Sequence, residues 1–461
     1  MSENPQIQNK YLIGSLPKLF FATAAPIIFI MLVNGTFTLV DAYFLGEFVG
    51  ADALTAVTLM FPAFMIIVAL SSLVSGGFSS VVARLLGSGD LPAAKRSFVE
   101  AIFLSLIICA ALIILFLGGG RSLIEWVTAG DLTLSQMGYD YISVLIFFAP
   151  ITFVLAIMSD TLRSEGKMGA MLFFSLSAVG LNFVFNYLLI VVFEYGVAGS
   201  AYGTILAQAC SLAAAFFHRK YANVAVKVKI SDFKISTQYW REFIALGVPA
   251  SLTYLGISLM SSAIIYNLQS FGVANYTATI AAYGIINRMM TFLFLPFLGL
   301  SMAFQSILGN NFGAKLHDRA DGSVKIAIAT AFIYCAGMQV LVNLIKYDIG
   351  GMFVGDVAIG LEVARLVPLT TLTFTLFGPL MIISTYFQAT GDAKRSAILS
   401  LSRTYIFALP LTFILPDFIG ENGIWLAGAA AEILVLVMTI FVLYTRYKNH
   451  GNRFGLLSTA G

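Results

Sequence analysis

Twelve times along this chain a run of about 20 or more mostly apolar residues recurs, which at 1.5 Å rise per residue is the length a helix needs to cross a bilayer. The runs fall near 16–45, 52–84, 97–118, 136–160, 168–193, 197–219, 241–270, 275–309, 322–345, 360–388, 395–415 and 423–446. In hydrocarbon every backbone N–H and C=O must be satisfied inside the protein, so runs of this length must be helices. The predicted fold is an all-α integral membrane protein with twelve transmembrane helices. Composition leaves no room for a soluble alternative. Of 461 residues, 59% are hydrophobic and 11% charged, against about 25% charged in soluble domains. Mean hydropathy is +0.91.

The cations give the orientation, since Lys and Arg collect on the cytoplasmic side. Of 26 Lys and Arg, only Arg121 and Lys346 fall in loops of one side, and Arg288, Arg365 and Arg403 lie at membrane depth. All others fall on the opposite side, which places both termini in the cytoplasm of a bacterial inner membrane. The net charge of +3 gives no reason to expect a nucleic-acid partner. The opening residues lack a basic stretch followed by a cleavable apolar core, so the first apolar run is expected to be a retained helix. Cys109, Cys210 and Cys335 sit inside apolar runs without metal-ligand spacing, and neither disulfide nor metal is expected.

The chain also repeats itself at an offset of about 225. Pro26 in TAAPIIFI matches Pro249 in LGVPASLT. RLLGSGDLPAAKRS matches NNFGAKLHDRADGS, and Gly166 in LRSEGKMGA matches Gly391 in FQATGDAKR. Glu194 and Gly196 match Glu421 and Gly423. Six helices per repeat keep both halves in one orientation, which predicts a pseudo-two-fold axis along the membrane normal and a binding site near the midplane. The expected domains are an N-terminal six-helix bundle (1–219), a cytoplasmic linker (220–240), and a C-terminal six-helix bundle with a short cytoplasmic tail (241–461).

Several motifs carry a family resemblance. Arg288, followed by Gln305, Gly309, Asn311, Gly313 and Ala314, resembles an arginine and a Q-x-x-x-G-x-N-x-G-A loop. Leu162-Arg163-Ser164-Glu165-Gly166 resembles L-R-x-x-G, and Val40-Asp41 with Ala53-Leu54-Thr55-Ala56-Val57 resembles a first-helix aspartate and a second-helix opening. Together these resemble the multidrug and toxic-compound extrusion (MATE) family over nearly the whole chain. The seventh helix and the tenth, between Glu362 and Asp392, contain no acid. They therefore lack the C-terminal cation site of the NorM-like branch, and the chain resembles the DinF-like branch.

The candidate coupling residue is Asp41, an acid inside an apolar helix. A charge there is costly unless it faces protein or water, and desolvation disfavours the charged form, which suits a proton carrier. The open alternative is a carboxylate that snorkels to the headgroups. Asn182 and Asn186, four apart and so on one helix face, are joined by Thr204 in the family pattern. Asn186 stands where that pattern has Asp, which weighs against sodium because hard cations want anionic oxygens. Asn34 and Tyr139 complete the cluster by resemblance. Both asparagines could equally be interhelical glue. Pro26 can break local helix bonding, and the resemblance implies a bend there. A static kink is the alternative.

In the C-terminal half, Tyr266, Asn267, Arg288 and Gln305 are candidate substrate-cavity residues. Arg288 could pair with Glu432, while Asp160 and Arg163, three apart, read as a local ion pair. Gly118-Gly119-Gly120 reads as an outer turn. No catalytic constellation or Walker loop is present, and His218, His317 and His450 are far apart in sequence. The expected function is a proton-coupled antiporter for small amphipathic, cationic compounds, working as a monomer without a cofactor. A sodium-coupled exporter and a lipid-linked precursor flippase are the rival transporters, and an intramembrane enzyme is the rival class.

Overall fold

A computed structural model describes residues 9–228, 232–233, 236–271, 275–353, 356–450 and 455–456. The side chains of 36–40, 42, 353 and 450 lie outside the description, Val40 and His450 among them, as do linker residues 229–231 and 234–235. Ten helices are long and apolar enough to cross a membrane, and two bent helix pairs bring the number to twelve.

In chain order the spans are α1 (Leu16–Phe48), α2 (Phe61–Ser88), α3 (Leu91–Val127), α4 (Leu132–Phe147 with Ala149–Ser164), α5 (Met168–Asn186) and α6 (Gly196–Tyr221). The second set is α7 (Trp240–Ser270), α8 (Tyr276–Gly313), α9 (His317–Leu344), α10 (Val357–Thr371 with Phe374–Thr390), α11 (Ala393–Leu401 with Leu409–Ile419) and α12 (Asn422–His450).

Three expectations of straight, simple spans are corrected. The second run is split: a short helix, Ala51–Leu59, ends at Met60 before α2 begins with Pro62 in its first turn, where a missing N–H costs nothing. The fourth and tenth runs are bent, by 48° and 43°. Pro150, in the first turn of the second half of α4, cannot donate to the preceding helix. The third correction is the glycine triplet. Gly118 to Gly120 is helical inside α3, which continues to Val127.

The repeat is written in the backbone. Wide π-type turns follow α5 at Tyr187–Val192 and interrupt α11 at Ser402–Ala408. Left-handed residues pair off between halves: Gly89 with Lys315, Gly166 with Gly391, and Glu194 with Gly420, separated by 226, 225 and 226 positions. The bends and the π turns likewise recur six spans apart.

The chain forms two compact units. One holds Ala25–Tyr254 with the segment up to Ser15 and Gly309–Lys315; the other holds Leu16–Ala24, Leu255–Leu308 and the chain from Leu316 onward. The first has a core around Met60, Ile67, Ile142, Phe153 and Ile205. The second has one around Leu268, Ile285, Val363, Leu366 and Trp425. In the first unit α2 and α7 approach backbone to backbone. A Cβ on Gly77 would strike the backbone of Phe243, and one on Gly247 that of Leu73.

Candidate functional site

The site grows from a local feature of α5. Asn182 and Asn186 share one face of that helix, and the π turn begins directly after Asn186. Glu194 and Gly196, both with positive φ, then turn the chain into α6. Gly203 of α6 faces Asn186, where any Cβ would collide with Oδ1 of that asparagine. The close passage lets α6 bring Ser200 and Thr204 against the α5 asparagines. These two are themselves four apart and share a helix face.

A continuous hydrogen-bond network results. Asn182 Nδ2 donates to Thr204 Oγ1 at 2.9 Å. Asn186 Nδ2 donates to Asn182 Oδ1 at 2.9 Å and to Asp41 Oδ1 at 2.6 Å. Ser200 Oγ donates to Asp41 Oδ2 at 3.1 Å. The carboxylate of α1 thus faces α5 and α6 and accepts from both, and it does not point outward to the headgroups. Asn182 and Asn186 are 2% and 0% exposed, so the bond between them is buried, while those to Thr204 and Asp41 are partly buried. Asn186 Oδ1 has no hydrogen-bond partner.

Beside the network lies a cavity of about 270 Å³. Its polar lining includes Asn34, Thr152, Ser175, Asn182, Thr204 and Gln208. Thr152 Oγ1 donates to Gln208 Oε1 at 2.6 Å. Asn182 and Thr204 belong both to the cavity wall and to the network. Asn34, expected in the coupling cluster, is in the cavity wall.

Other sequence candidates fall elsewhere. Tyr139 stacks on Phe116 with centroids 5.6 Å apart, under the guanidinium of Arg121 at 5.7 Å. Tyr141, two residues on, packs against Phe44, Leu45, Ile190 and Val197. Residues 139 and 141 sit on nearly opposite sides of a helix, and among the described residues Tyr139 makes no hydrogen bond to the Asp41 network, its ring lying against Phe116 and Arg121. Pro26 lies inside an α1 that stays helical throughout; the Ala22 carbonyl, four residues earlier, loses its ordinary donor.

In the second unit, Glu432 pairs with Arg403 at 2.9 Å, not with Arg288, and the Arg403 guanidinium lies 4.7 Å from the Phe377 ring centre. Arg288 is exposed. Tyr266 is 61% exposed and packs near Phe413. Asn267 is buried and donates to the Ala263 carbonyl at 2.8 Å. Gln305 is buried. Asp160 does pair with Arg163, at 2.7 Å.

The motif residues near these inner helix ends hold the chain together. Arg163 also donates to Ser79 at 2.9 Å, and its carbonyl accepts from Tyr11 Oη at 2.6 Å. Asn311 Nδ2 donates to the Tyr11 carbonyl at 3.2 Å. Gly313 passes so close to the Arg84 carbonyl that no Cβ fits. Among the described residues no group of three or more His, Cys, Asp or Glu could hold a metal ion.

The MatE family model matches residues 26–188 and 249–414. Multidrug export protein MepA of Staphylococcus haemolyticus is 23% identical over 435 residues, covering 94% of each chain. A solved outward-facing multidrug resistance MATE family transporter of the MOP superfamily superposes with TM-score 0.86 at 23% identity, over 95% of this chain and 98% of that one. A MOP superfamily transporter from Pyrococcus furiosus, whose description reports a binding pocket of reverse polarity, gives TM-score 0.86 at 22% identity over 98% and 100%.

Proposed function

We propose, for a chain that belongs to the MatE family, a proton-coupled antiporter that exports small amphipathic compounds by alternating access. It sits in the bacterial inner membrane with both termini in the cytoplasm, and the monomer is the working unit. Within the family, the placement of its acids supports the DinF-like branch.

The observation that carries the proposal is the shared wall. Asn182 and Thr204 line the cavity, and Asn182 is one residue from Asp41 along the hydrogen-bond chain. The protonation state of the carboxylate is then felt at the cavity surface. With Asp41 ionised, both oxygens accept, and the network points its donors at α1. A proton arriving from outside must reverse one of those bonds. Ser200 can reverse, because a hydroxyl both donates and accepts, whereas the Asn186 amide nitrogen only donates. The Asn186 bond keeps its direction but weakens as the negative charge is lost, that change reaches the cavity through Asn182, and the substrate is expelled as α1 shifts. Reclosure releases the proton inside.

Proton coupling is supported over sodium by the neutral Asn186, which aims one N–H at the carboxylate where a cation would want oxygen. One charge crossing the membrane potential yields about 2.3 kcal/mol per 100 mV, and a tenfold gradient costs about 1.4 kcal/mol. One proton against one neutral molecule can sustain a ratio of a few tens at about 100 mV. Exchange against a monovalent cation is electroneutral and runs on the pH gradient alone.

The test is efflux of a cationic dye from proteoliposomes under separately imposed pH, potential and sodium gradients. Wild type should respond to pH and lose that response when an exchanger dissipates it. Asp41→Asn should insert normally and show no pH-driven efflux. Wild-type efflux from Asp41→Asn would remove Asp41 as the coupling group.

A further inference from the structure

A second, larger chamber lies away from the network, where the end of α6 meets the beginning of the linker. It measures about 630 Å³, within the usual range for small-ligand pockets. Its walls divide by chemistry. Phe98, Met158, Phe216, Phe217 and Phe233 are apolar, and Arg219, Lys220 and Lys227 are cationic. No acid is in the lining.

The three cations differ in their freedom. Arg219 is 7% exposed and donates through Nη2 to Glu165 Oε1 and to the Val226 carbonyl, both at 3.0 Å. Its other terminal nitrogen, Nη1, is buried with no hydrogen-bond partner. Glu165 Oε1 also accepts from Val226 N at 2.7 Å, and its Oε2 is buried with no hydrogen-bond partner among the described residues. Lys220 and Lys227 are exposed and make no ion pair among the described residues. The apolar wall is also open: Phe216, Phe217 and Phe233 are 46%, 63% and 42% exposed.

An arginine held in place by Glu165 and Phe98, two exposed lysines outside any ion pair among the described residues, and an exposed aromatic wall together match a molecule with an anionic head and an apolar tail. Arg is suited to phosphate because its planar fork matches the oxygens, and Lys adds a mobile point charge. We propose that this chamber binds one anionic phospholipid, its phosphate at Arg219, Lys220 and Lys227 and its acyl chain along Phe216, Phe217 and Phe233. The site is separate from the Asp41 network, so Asp41→Asn should leave it intact.

Native mass spectrometry of the detergent-purified protein tests this, titrated with phosphatidylglycerol or with phosphatidylcholine of the same chains. Wild type should retain one phosphatidylglycerol beyond its phosphatidylcholine count. Lys220→Gln with Lys227→Gln should weaken that lipid about 30-fold, the usual surface worth of two cations. Lys220→Arg with Lys227→Arg should keep it, which separates lost charge from lost fold. Equal retention of both lipids, or wild-type retention by the double Gln variant, overturns the proposal. Inorganic phosphate distinguishes the source of the head. If phosphate alone displaces the retained lipid at millimolar concentration, the chamber is a free-anion site and the lipid assignment falls.

Discussion

Asn186 Nδ2 lies 2.6 Å from Asp41 Oδ1 and serves Asn182 Oδ1 with the same nitrogen. Both amide hydrogens are therefore spent inside the network. The residue presents one N–H to the carboxylate, which disfavours a cation between them. Asn186→Asp replaces the amide with a second carboxylate. Hard cations gain affinity with each added anionic oxygen, so this variant should acquire sodium-stimulated efflux that wild type lacks. A sodium jump imposed on dye-loaded proteoliposomes reads it. No response to sodium in Asn186→Asp would show that the neutral amide is not what sets ion choice.

Ser200 donates to the other carboxylate oxygen at 3.1 Å, and that bond exists in this sense only while the oxygen is ionised. Removing a hydrogen bond to a charged group costs about 1.5 kcal/mol at the lower end of its range. Ser200→Ala should then lower the melting temperature in detergent. The bond favours the ionised form, so the deficit should be larger near pH 9 than near pH 5. A deficit that does not change with pH would mean that Ser200 contributes packing and not a bond to the carboxylate.

The sequence alone carried the twelve spans, the repeat and four members of the network. Length and apolarity are enough for the spans, because the bilayer forbids alternatives. Asn182 and Asn186 were readable because their spacing puts them on one face whatever the helix packs against. Ser200 was missed although a signal existed: it precedes Thr204 by four. Its place in a run of small residues (VAGSAYG) hid it among ordinary packing positions. Arg403, and not Arg288, pairs with Glu432; that choice depends on which helices neighbour α12, which periodicity alone does not give. The glycine triplet in α3 misled for another reason, since intrinsic propensity is a weak prior that the surrounding helix overrides.

The bend in α10 makes a separate expectation. Where the helix breaks, Gln339 of α9 supplies the missing partners. Its Oε1 accepts from Thr375 N at 2.8 Å and from Thr375 Oγ1 at 2.7 Å, and its Nε2 donates to the Leu372 carbonyl at 2.9 Å. Gln339→Ala leaves a backbone donor and a carbonyl unpaired at once. The Thr375 bonds are partly buried and the Leu372 bond is exposed, so the loss should be about 1 kcal/mol, the net worth of an ordinary hydrogen bond, and the variant should melt lower. Gln339→Glu keeps both accepted bonds and loses only the donated one, and should fall between. Thermal unfolding in one detergent, monitored by exposure of the buried Cys335 to a thiol dye, orders the three. An unchanged Gln339→Ala would mean that the break needs no external partner.

The last expectation comes from the repeat itself. Gly89 ends α2 with φ +78, and the matching position after α8 is Lys315 with φ +58. The same turn is made twice, once with the residue suited to it and once without. A non-glycine residue in the left-handed region costs about 1–2 kcal/mol from the clash of its Cβ with backbone. Glycine gives back part of that through a freer unfolded chain, about 0.4–1 kcal/mol. Lys315→Gly should therefore stabilise by about 0.5–1 kcal/mol and raise the melting temperature, with efflux unaffected because the position is remote from Asp41 in the first unit's hydrogen-bond network. Lys315→Ala is the control. It removes the same charge and keeps the Cβ, so it should give no gain. Equal stabilisation by Ala and Gly would assign the effect to the lost charge and not to the backbone.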